Sequence, residues 1–487
     1  MTAADYLQAC SRRAERLGPR GMDLDLRVAE IDFYDVFMPL IVIQGLAKFD
    51  ARVPAIYLCG AALKGLKRFT IAMVRALGTT QEKCVDQGGL LVICATRLSL
   101  REIYTPLAKA RDGRRICLGF TTTELHVESE SAARELDLPV LRPTRHGIGI
   151  ALRISAAVFG KAVLAAAKTV MGPRGRRRET IFVLSYIVFV GLPLITASLM
   201  LLDEVERRKY RTLLSEDPSH PAIRLHFANA SLQGIRSNLI QFGHCDRDAI
   251  EWRFADADRV FVWGKYYASI ISGLHERRGL ALVPIGSPRF DYAFSLKAGH
   301  RRAPGPARVL VLSTYEIGSY AGAFGPGSLE ALKAEVRDSL HLVAGEMKAE
   351  VHFKLHPYEP TDGGIWGEGL GNRARLLPGK LDMRPELGNY DVAVSFGSGL
   401  TLDCMIARIP VLLPDWIPGL PWEYGALVAA GAIDSTSRAD FERQVRSFLS
   451  GRSERVEEEQ ARTRELATFV QQSSPVSKII LNQIFAS

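Results

Sequence analysis

Cysteine is scarce in this chain and scattered. The seven cysteines among 487 residues form no Cys-x-x-Cys pair and no Cys/His cluster at ligand spacing. That argues against a disulfide frame and against a zinc site, and it fits the reduced thiols of a cytoplasmic protein. The first 18 residues, MTAADYLQACSRRAERLG, carry no apolar run, so no secretory signal is expected. No internal repeat or low-complexity tract interrupts the chain. Acidic residues are absent from Val140 to Arg178, while nine basic residues fall there: Arg142, Arg145, Arg153, Lys161, Lys168, Arg174, Arg176, Arg177 and Arg178. The net charge of the whole chain is +9, so this stretch holds the entire excess. A nucleic-acid binder would spread its basic residues over a folded domain. Here they punctuate apolar segments, so the expected partner is an anionic membrane surface and not a nucleic acid.

Long apolar runs are few, and they sit in the same region. Ile181 to Leu202 is 22 uncharged, mostly apolar residues, long enough to cross a bilayer. Just before it, Gly147 to Met171 carries only Arg153, Lys161 and Lys168 as charges. At 100° per residue these three fall within about 80°, leaving a wide apolar face. Gly88 to Thr144 alternates strand-like and helix-like runs, and so does the sequence after Leu202. If both halves build one sheet, a single span would place them on opposite sides of the membrane. A monotopic or re-entrant insertion removes that conflict. A buried core helix at Ile181–Leu202 would remove it too.

The remainder reads as two doubly wound α/β units. The expected organisation is an N-terminal extension (1–87), a first Rossmann-like unit (88–295) with the apolar and basic segment 140–202 inserted in it, a linker (296–307) rich in Gly, Pro and Arg, and a second Rossmann-like unit (308–487). In the second unit, Leu329, Leu332, Val336, Leu340, Val343 and Met347 recur at helical spacing, predicting a long amphipathic helix. The runs RVLVLS, AEVHFK, DVAVS and IPVLLP are short apolar strands between helices. Two such units face each other across a cleft at the C-terminal ends of their strands, where nucleotides bind.

Three turns would deliver side chains to that cleft. In FKLHPYEP, Lys354 can neutralise phosphate, His356 can donate to a phosphoryl oxygen or act as a general acid, and Pro357 fixes the turn. In SFGSGLTLD, Gly397, Ser398 and Gly399 form a small-residue turn before a helix. Backbone N–H groups and the hydroxyls of Ser395 and Ser398 can receive phosphate there, and Asp403 can hold a sugar hydroxyl. In IQFGHCDRDA, His244 follows a strand of the first unit and faces the cleft from the other side as a candidate general base. Arg289, in the strand-end turn GSPRFD at the domain junction, contacts phosphate or pairs with Asp291. Asp256-Ala-Asp258 has the form of a metal-binding DxD motif, but no other ligand cluster stands near it, so no metal is expected.

The order IQFGH, VFVWG, IGSPRFD, KLHP, SFGSGLTLD, IPVLL resembles GT-B-fold transferases of bacterial surface polymers: the CDP-glycerol glycerophosphotransferases, and the polysialyltransferase and Kdo-transferase types of capsule enzyme. The resemblance covers roughly residues 238–413. It implies that the HP turn and the Ser-rich turn hold the donor's phosphates through His356, Pro357, Ser398 and Asp403. The sequence departs from these relatives at Phe242, where many carry His, and at Ser398-Gly399, where the glycerophosphotransferases pair two serines. The expectation is therefore a metal-independent GT-B transferase, with no cofactor beyond a CMP, CDP or UDP donor. It would act on a lipid-linked glycan acceptor at the cytoplasmic face of a bacterial plasma membrane. The alternatives are a non-hydrolysing UDP-aminosugar 2-epimerase on the same fold and a non-catalytic glycan-binding scaffold.

Overall fold

The computed structural model describes residues 25–41, 67, 70, 89–121, 130–171, 177–244, 252–253, 255–274, 280–295, 305–314, 328–417, 424–450, 466, 469–471 and 475–486. A short hairpin, β1 (Arg27–Val28) and β2 (Ile31–Asp32), leads into helix α1 (Phe33–Leu40). Asp32 caps that helix by accepting from the Tyr34 N–H at 2.9 Å, the usual work of an Asp at an N-cap.

The first sheet is built from β3 (Leu90–Cys94), β4 (Ile116–Phe120), β5 (Thr212–Ser215), β6 (Arg236–Ile240), β7 (Arg259–Val262) and β8 (Ala281–Pro284). All six are parallel, in the order β4-β3-β5-β6-β7-β8. Between β4 and β5 the chain leaves the sheet for three helices, α2 (Arg145–Met171), α3 (Arg177–Tyr186) and α4 (Leu192–Arg208), with a π-helical turn, Ile187–Gly191, joining the last two. α5 (Pro221–Leu232) and α6 (Lys265–Leu274) follow β5 and β7. Since β3 pairs with β5, the sheet is continuous across the helical insertion. Both flanks of the insertion therefore lie on one side of any membrane.

The insertion has its own hydrophobic core. Val183, Leu184, Ile187, Ile195, Leu199 and Met200 are buried there against Phe33, Phe37 and Ile41 of the N-terminal segment. Most of the apolar run Ile181–Leu202 is thus the inside of a helical subdomain. α2 differs. Ile148, Ala151, Val158 and Ala162 bury one side of it, and much of the other side is exposed.

The second sheet holds β9 (Arg308–Leu312), β10 (Glu350–Lys354), β11 (Ala374–Leu377), β12 (Val392–Ser395), β13 (Val411–Pro414) and β14 (Asp434–Thr436), parallel in the order β11-β10-β9-β12-β13-β14. α7 (Ser328–Met347) buries Leu329, Val336, Leu340 and Val343 as its spacing predicts. α8 (Leu400–Ile406) follows β12 and α9 (Phe441–Ser450) follows β14. The chain then returns to the first unit. The Gln471 N–H donates to the Trp263 carbonyl at 2.8 Å. The last helix, α10 (Val476–Ala486), buries Val476, Ile480, Leu481 and Ile484 against Leu90, Val92 and Ile103. Residues 476–486 thus belong by packing to the first unit, although they end the chain. Of the linker 296–307, residues 296–304 lie outside the described residues.

In each sheet the strand order reverses once, between β3 and β5 in the first and between β9 and β12 in the second. Crevices outside the carboxyl ends of strands at such reversals are where α/β sheets bind ligands.

Candidate active site

The HP turn leaves β10 beside the reversal of the second sheet. Glu359, three residues past His356, organises it. Its carboxylate accepts from the His356 N–H at 2.6 Å, the Ser313 hydroxyl at 2.7 Å and the Lys333 ammonium at 2.6 Å. Ser313 follows β9, so one acid ties together two strand ends and α7. Pro357 is exposed. The His356 Nδ1 accepts from the Tyr358 N–H at 3.3 Å, which fixes the ring. Burial holds the imidazole below its ordinary pKa, with Glu359 pulling the other way. The Lys354 ammonium is buried and donates to two carbonyls, Leu355 at 3.0 Å and Gly379 at 2.6 Å. Burial first, and then the charge of Arg101, push it down to about 8. Gly379 passes over the turn so closely that a Cβ would lie 2.5 Å from the His356 carbonyl oxygen.

The second turn follows β12. Gly397 has φ +88°, a conformation that favours glycine. Ser395 is fully buried, bonded to the Thr401 hydroxyl at 2.6 Å and accepting from the Gly397 N–H at 3.1 Å. Its hydroxyl shapes the turn from inside. Ser398 is half-buried and caps the Leu400 N–H at 3.3 Å, and Gly399 is exposed. Among the described contacts, the N–H groups of Ser398 and Gly399 have no acceptor within the chain.

Asp403 and Arg289 meet each other. The Arg289 guanidinium donates to Asp403 Oδ2 at 2.8 Å and to the Gly399 carbonyl at 2.7 Å, and lies 3.3 Å from Glu102. All three charged residues are buried. Of the partners expected for Arg289, Asp291 is replaced by Asp403, in an ion pair across the domain junction. The reason is burial: Arg289 crosses into the second unit, where the unsolvated Asp403 is its complement. Asp291 instead caps α10, accepting from the Val476 N–H at 2.9 Å.

From the first unit, His244 follows β6 and reaches across to the second. Its ring stacks on Tyr424, with centroids 4.9 Å apart and planes 4° from parallel. Its Nδ1 bonds the Tyr267 hydroxyl at 2.7 Å. The Tyr424 hydroxyl lies 3.4 Å from the Ser398 carbonyl. The structure thus brings His244 and the SFGSG turn to one place through an aromatic ring that the sequence did not point to. Asp258 of the DxD motif accepts from the Ser237 N–H at 2.7 Å and its hydroxyl at 3.0 Å, at the N-terminal edge of the first sheet, away from the cleft. Among the described residues no group of His, Cys, Asp and Glu side chains could hold a metal ion.

Glu216 also escaped the sequence. It follows β5, at the reversal of the first sheet, and is buried. It accepts from the Ala95 N–H at 2.8 Å and from the hydroxyls of Ser99 and Tyr104. Burial pushes its carboxyl up to about 7, against the pull of those donors. Tyr104 and Glu102 come from one π-helical turn, Leu100–Tyr104, a local irregularity often found at functional sites. No sequence signal marked Glu216: the four-residue β5 lies in a charged run and looks like a helix end.

No family model and no curated protein matches the sequence. Solved structures do. A Staphylococcus aureus MnaA–UDP co-structure superposes with TM-score 0.50 at 12% identity, over 82% of this chain and 96% of the other. The fold is GT-B-like. Methanocaldococcus jannaschii UDP-GlcNAc 2-epimerase, in complex with UDP-GlcNAc and UDP, matches at TM-score 0.48 and 13% identity over 82% of this chain and all of its own. Acinetobacter baumannii MurG matches at 0.43 and 12%, again over 82% of this chain and all of its own. At such identities the likeness concerns the GT-B fold alone.

Proposed function

We propose that this protein is a GT-B transferase that moves a sugar or polyol phosphate from a nucleotide-activated donor to a lipid-linked surface glycan, at the cytoplasmic face of a bacterial plasma membrane. The observation that carries the proposal is the stack of His244 on Tyr424, which sets an imidazole of the first unit against the glycine turn of the second. On this reading the Ser398 and Gly399 N–H groups, His356 and Lys354 hold the donor's phosphate. An acceptor hydroxyl then attacks the activated carbon or phosphorus, its proton passes to His244, and the nucleotide departs with the bonding electrons. Fixed N–H donors and cations suffice to stabilise that leaving charge.

A thermal-shift titration with CMP, CDP, UDP and GDP tests the proposal. At a hundred times Kd, a cognate nucleotide stabilises by about 2.7 kcal/mol. Stabilisation by none of the four overturns the transferase reading and leaves a non-catalytic scaffold. Glu216 favours a second reading, the epimerase. A sugar epimerase moves protons through carboxyl groups tuned near neutrality, and Glu216 is such a group at the sheet reversal. Epimerisation of UDP-GlcNAc in the absence of any acceptor would decide for it.

A further inference from the structure

We infer that α2, and not Ile181–Leu202, is the membrane-binding element among the described residues, lying in the plane of an anionic bilayer with its outer face in the headgroup–acyl boundary. The inference deepens the membrane reading above, and rests on it, by naming the surface and excluding Ile181–Leu202 from it. Among the described residues two helices, Arg145–Met171 and Arg178–Glu206, are long and apolar enough to cross a membrane. The second has half of its most apolar stretch buried within the protein, the first only 22%. On α2, Leu152, Phe159, Val163 and Val170 are each about half exposed, Leu164 is 63% and Met171 80% exposed. At 3.6 residues per turn, the first four fall within about 40° of one another. From Leu152 to Met171 the helix therefore carries one apolar stripe roughly 30 Å long.

A second side of α2, about a quarter turn from the stripe, is spoken for. Ile148, Ala151, Val158 and Ala162 are buried along it against α4 and the N-terminal segment. At Gly147 the two helices touch so closely that a Cβ would lie 2.0 Å from the Met200 carbonyl oxygen. A helix docked lengthwise on its own protein cannot cross a bilayer without taking that core with it. The sheet that continues on both sides of the insertion forbids a single crossing as well. A helix lying flat satisfies both constraints.

Charge selects the occupant. Arg153 and Lys168 are exposed about 100° and 160° round the helix from the stripe, with Lys161 beside them pairing with Asp25 at 3.2 Å. No acidic residue occurs anywhere in α2. A basic polar face set away from a Phe/Leu/Val stripe is the pattern of an interfacial helix, and phosphate headgroups complement it. A second copy of the chain would set Arg153 and Lys168 against the same uncompensated charges. The segment before α2 runs parallel to β4, with Leu118 bridging Val140. The helix therefore starts from the carboxyl, cleft-side edge of the first sheet, where a lipid-linked acceptor would have to arrive.

Co-sedimentation of the full chain with phosphatidylcholine vesicles, with and without phosphatidylglycerol, tests this. Wild type is expected to partition onto the mixed vesicles. Phe159→Glu/Leu164→Glu should weaken that partitioning by about tenfold or more, with unchanged melting temperature and unchanged stabilisation by nucleotide. Arg153→Glu/Lys168→Glu should lose only the preference for phosphatidylglycerol. Unchanged partitioning of the Phe159/Leu164 variant overturns the inference. So does a variant that still binds vesicles but turns from dimer to monomer in size-exclusion chromatography, which would make a second copy the occupant. Failure of all nucleotides to stabilise a wild type that still binds vesicles would sink the transferase reading and leave this surface standing.

Discussion

At the residue scale the two cleft histidines separate by environment. His356 sits in a turn pinned by Glu359, on the donor side; His244 approaches from the other unit against Tyr424. His356→Ala should lower nucleotide affinity by roughly ten- to a hundredfold, the loss of a charge-assisted contact, and abolish transfer. His244→Ala should leave nucleotide affinity nearly unchanged and cost about 10²- to 10⁴-fold in rate, the usual worth of a general base. Calorimetry paired with initial rates reads both, and a fully active His244→Ala would place the base elsewhere. Lys354 makes a separate prediction. Its ammonium titrates near 8 in the fold, against 10.5 for an ordinary lysine. The unfolded chain then binds more protons between pH 8 and 10.5, so this lysine costs stability below pH 8 and the cost fades as pH rises through that window. Comparing wild type with Lys354→Met by denaturant unfolding at pH 7 and pH 10, the difference should move in favour of wild type by about 1–2 kcal/mol at the higher pH, allowing for partial solvation. A difference that does not change with pH would mean the ammonium is not held against its solvation.

At the element scale, legibility followed local pattern. The strands around RVLVLS, AEVHFK, DVAVS and IPVLLP stand where their apolar runs place them, because each is central in a parallel sheet and buried on both faces. β11 and β14 are half-exposed edge strands without a continuous apolar run, and β5 (Thr212–Ser215) sits inside a charged run that masks it, so with β5 the sequence hid Glu216. Ile181–Leu202 read as apolar, but whether apolar means core or membrane depends on what packs against it. That is a long-range fact: Phe33 and Phe37 cover it from some 150 residues away in the chain. Gly147 tests the helical packing. Gly→Ala inside a helix ordinarily stabilises by about 1 kcal/mol. At Gly147 the added carbon would strike the Met200 carbonyl, so Gly147→Ala should destabilise by about 2 kcal/mol or more. At Gly149, where a Cβ meets nothing within 4 Å, the same change should stabilise. Opposite signs in thermal melts of the two variants establish the contact; equal signs refute it.

At the scale of the whole molecule, the cleft is held by charge as well as by the returning α10. Arg289 comes from the end of the first sheet and closes on Asp403 and the Gly399 carbonyl of the second unit, with Glu102 of the first unit at its back. A buried pair of this kind adds little net stability, yet removing one member leaves the other uncompensated. Arg289→Met would leave two buried carboxylates facing each other with no guanidinium between them, and would release the Gly399 carbonyl that orients the phosphate turn. The expected cost is about 3–5 kcal/mol at neutral pH. Its sign with pH follows from the carboxylates. Burial already pushes Asp403 up, and without Arg289 its folded pKa rises further above the unfolded value. Stability is then lost as pH rises through that range and regained toward acid. The variant should therefore be closest to wild type near pH 5 and furthest from it near pH 8. Arg289→Met/Asp403→Leu, which removes one of the stranded charges, should recover part of the loss at pH 8, with nucleotide binding still weakened because the Gly399 carbonyl stays unheld. A destabilisation of Arg289→Met that is equal at pH 5 and pH 8, and that the double variant does not relieve, would mean that packing, and not this charge cluster, joins the two units.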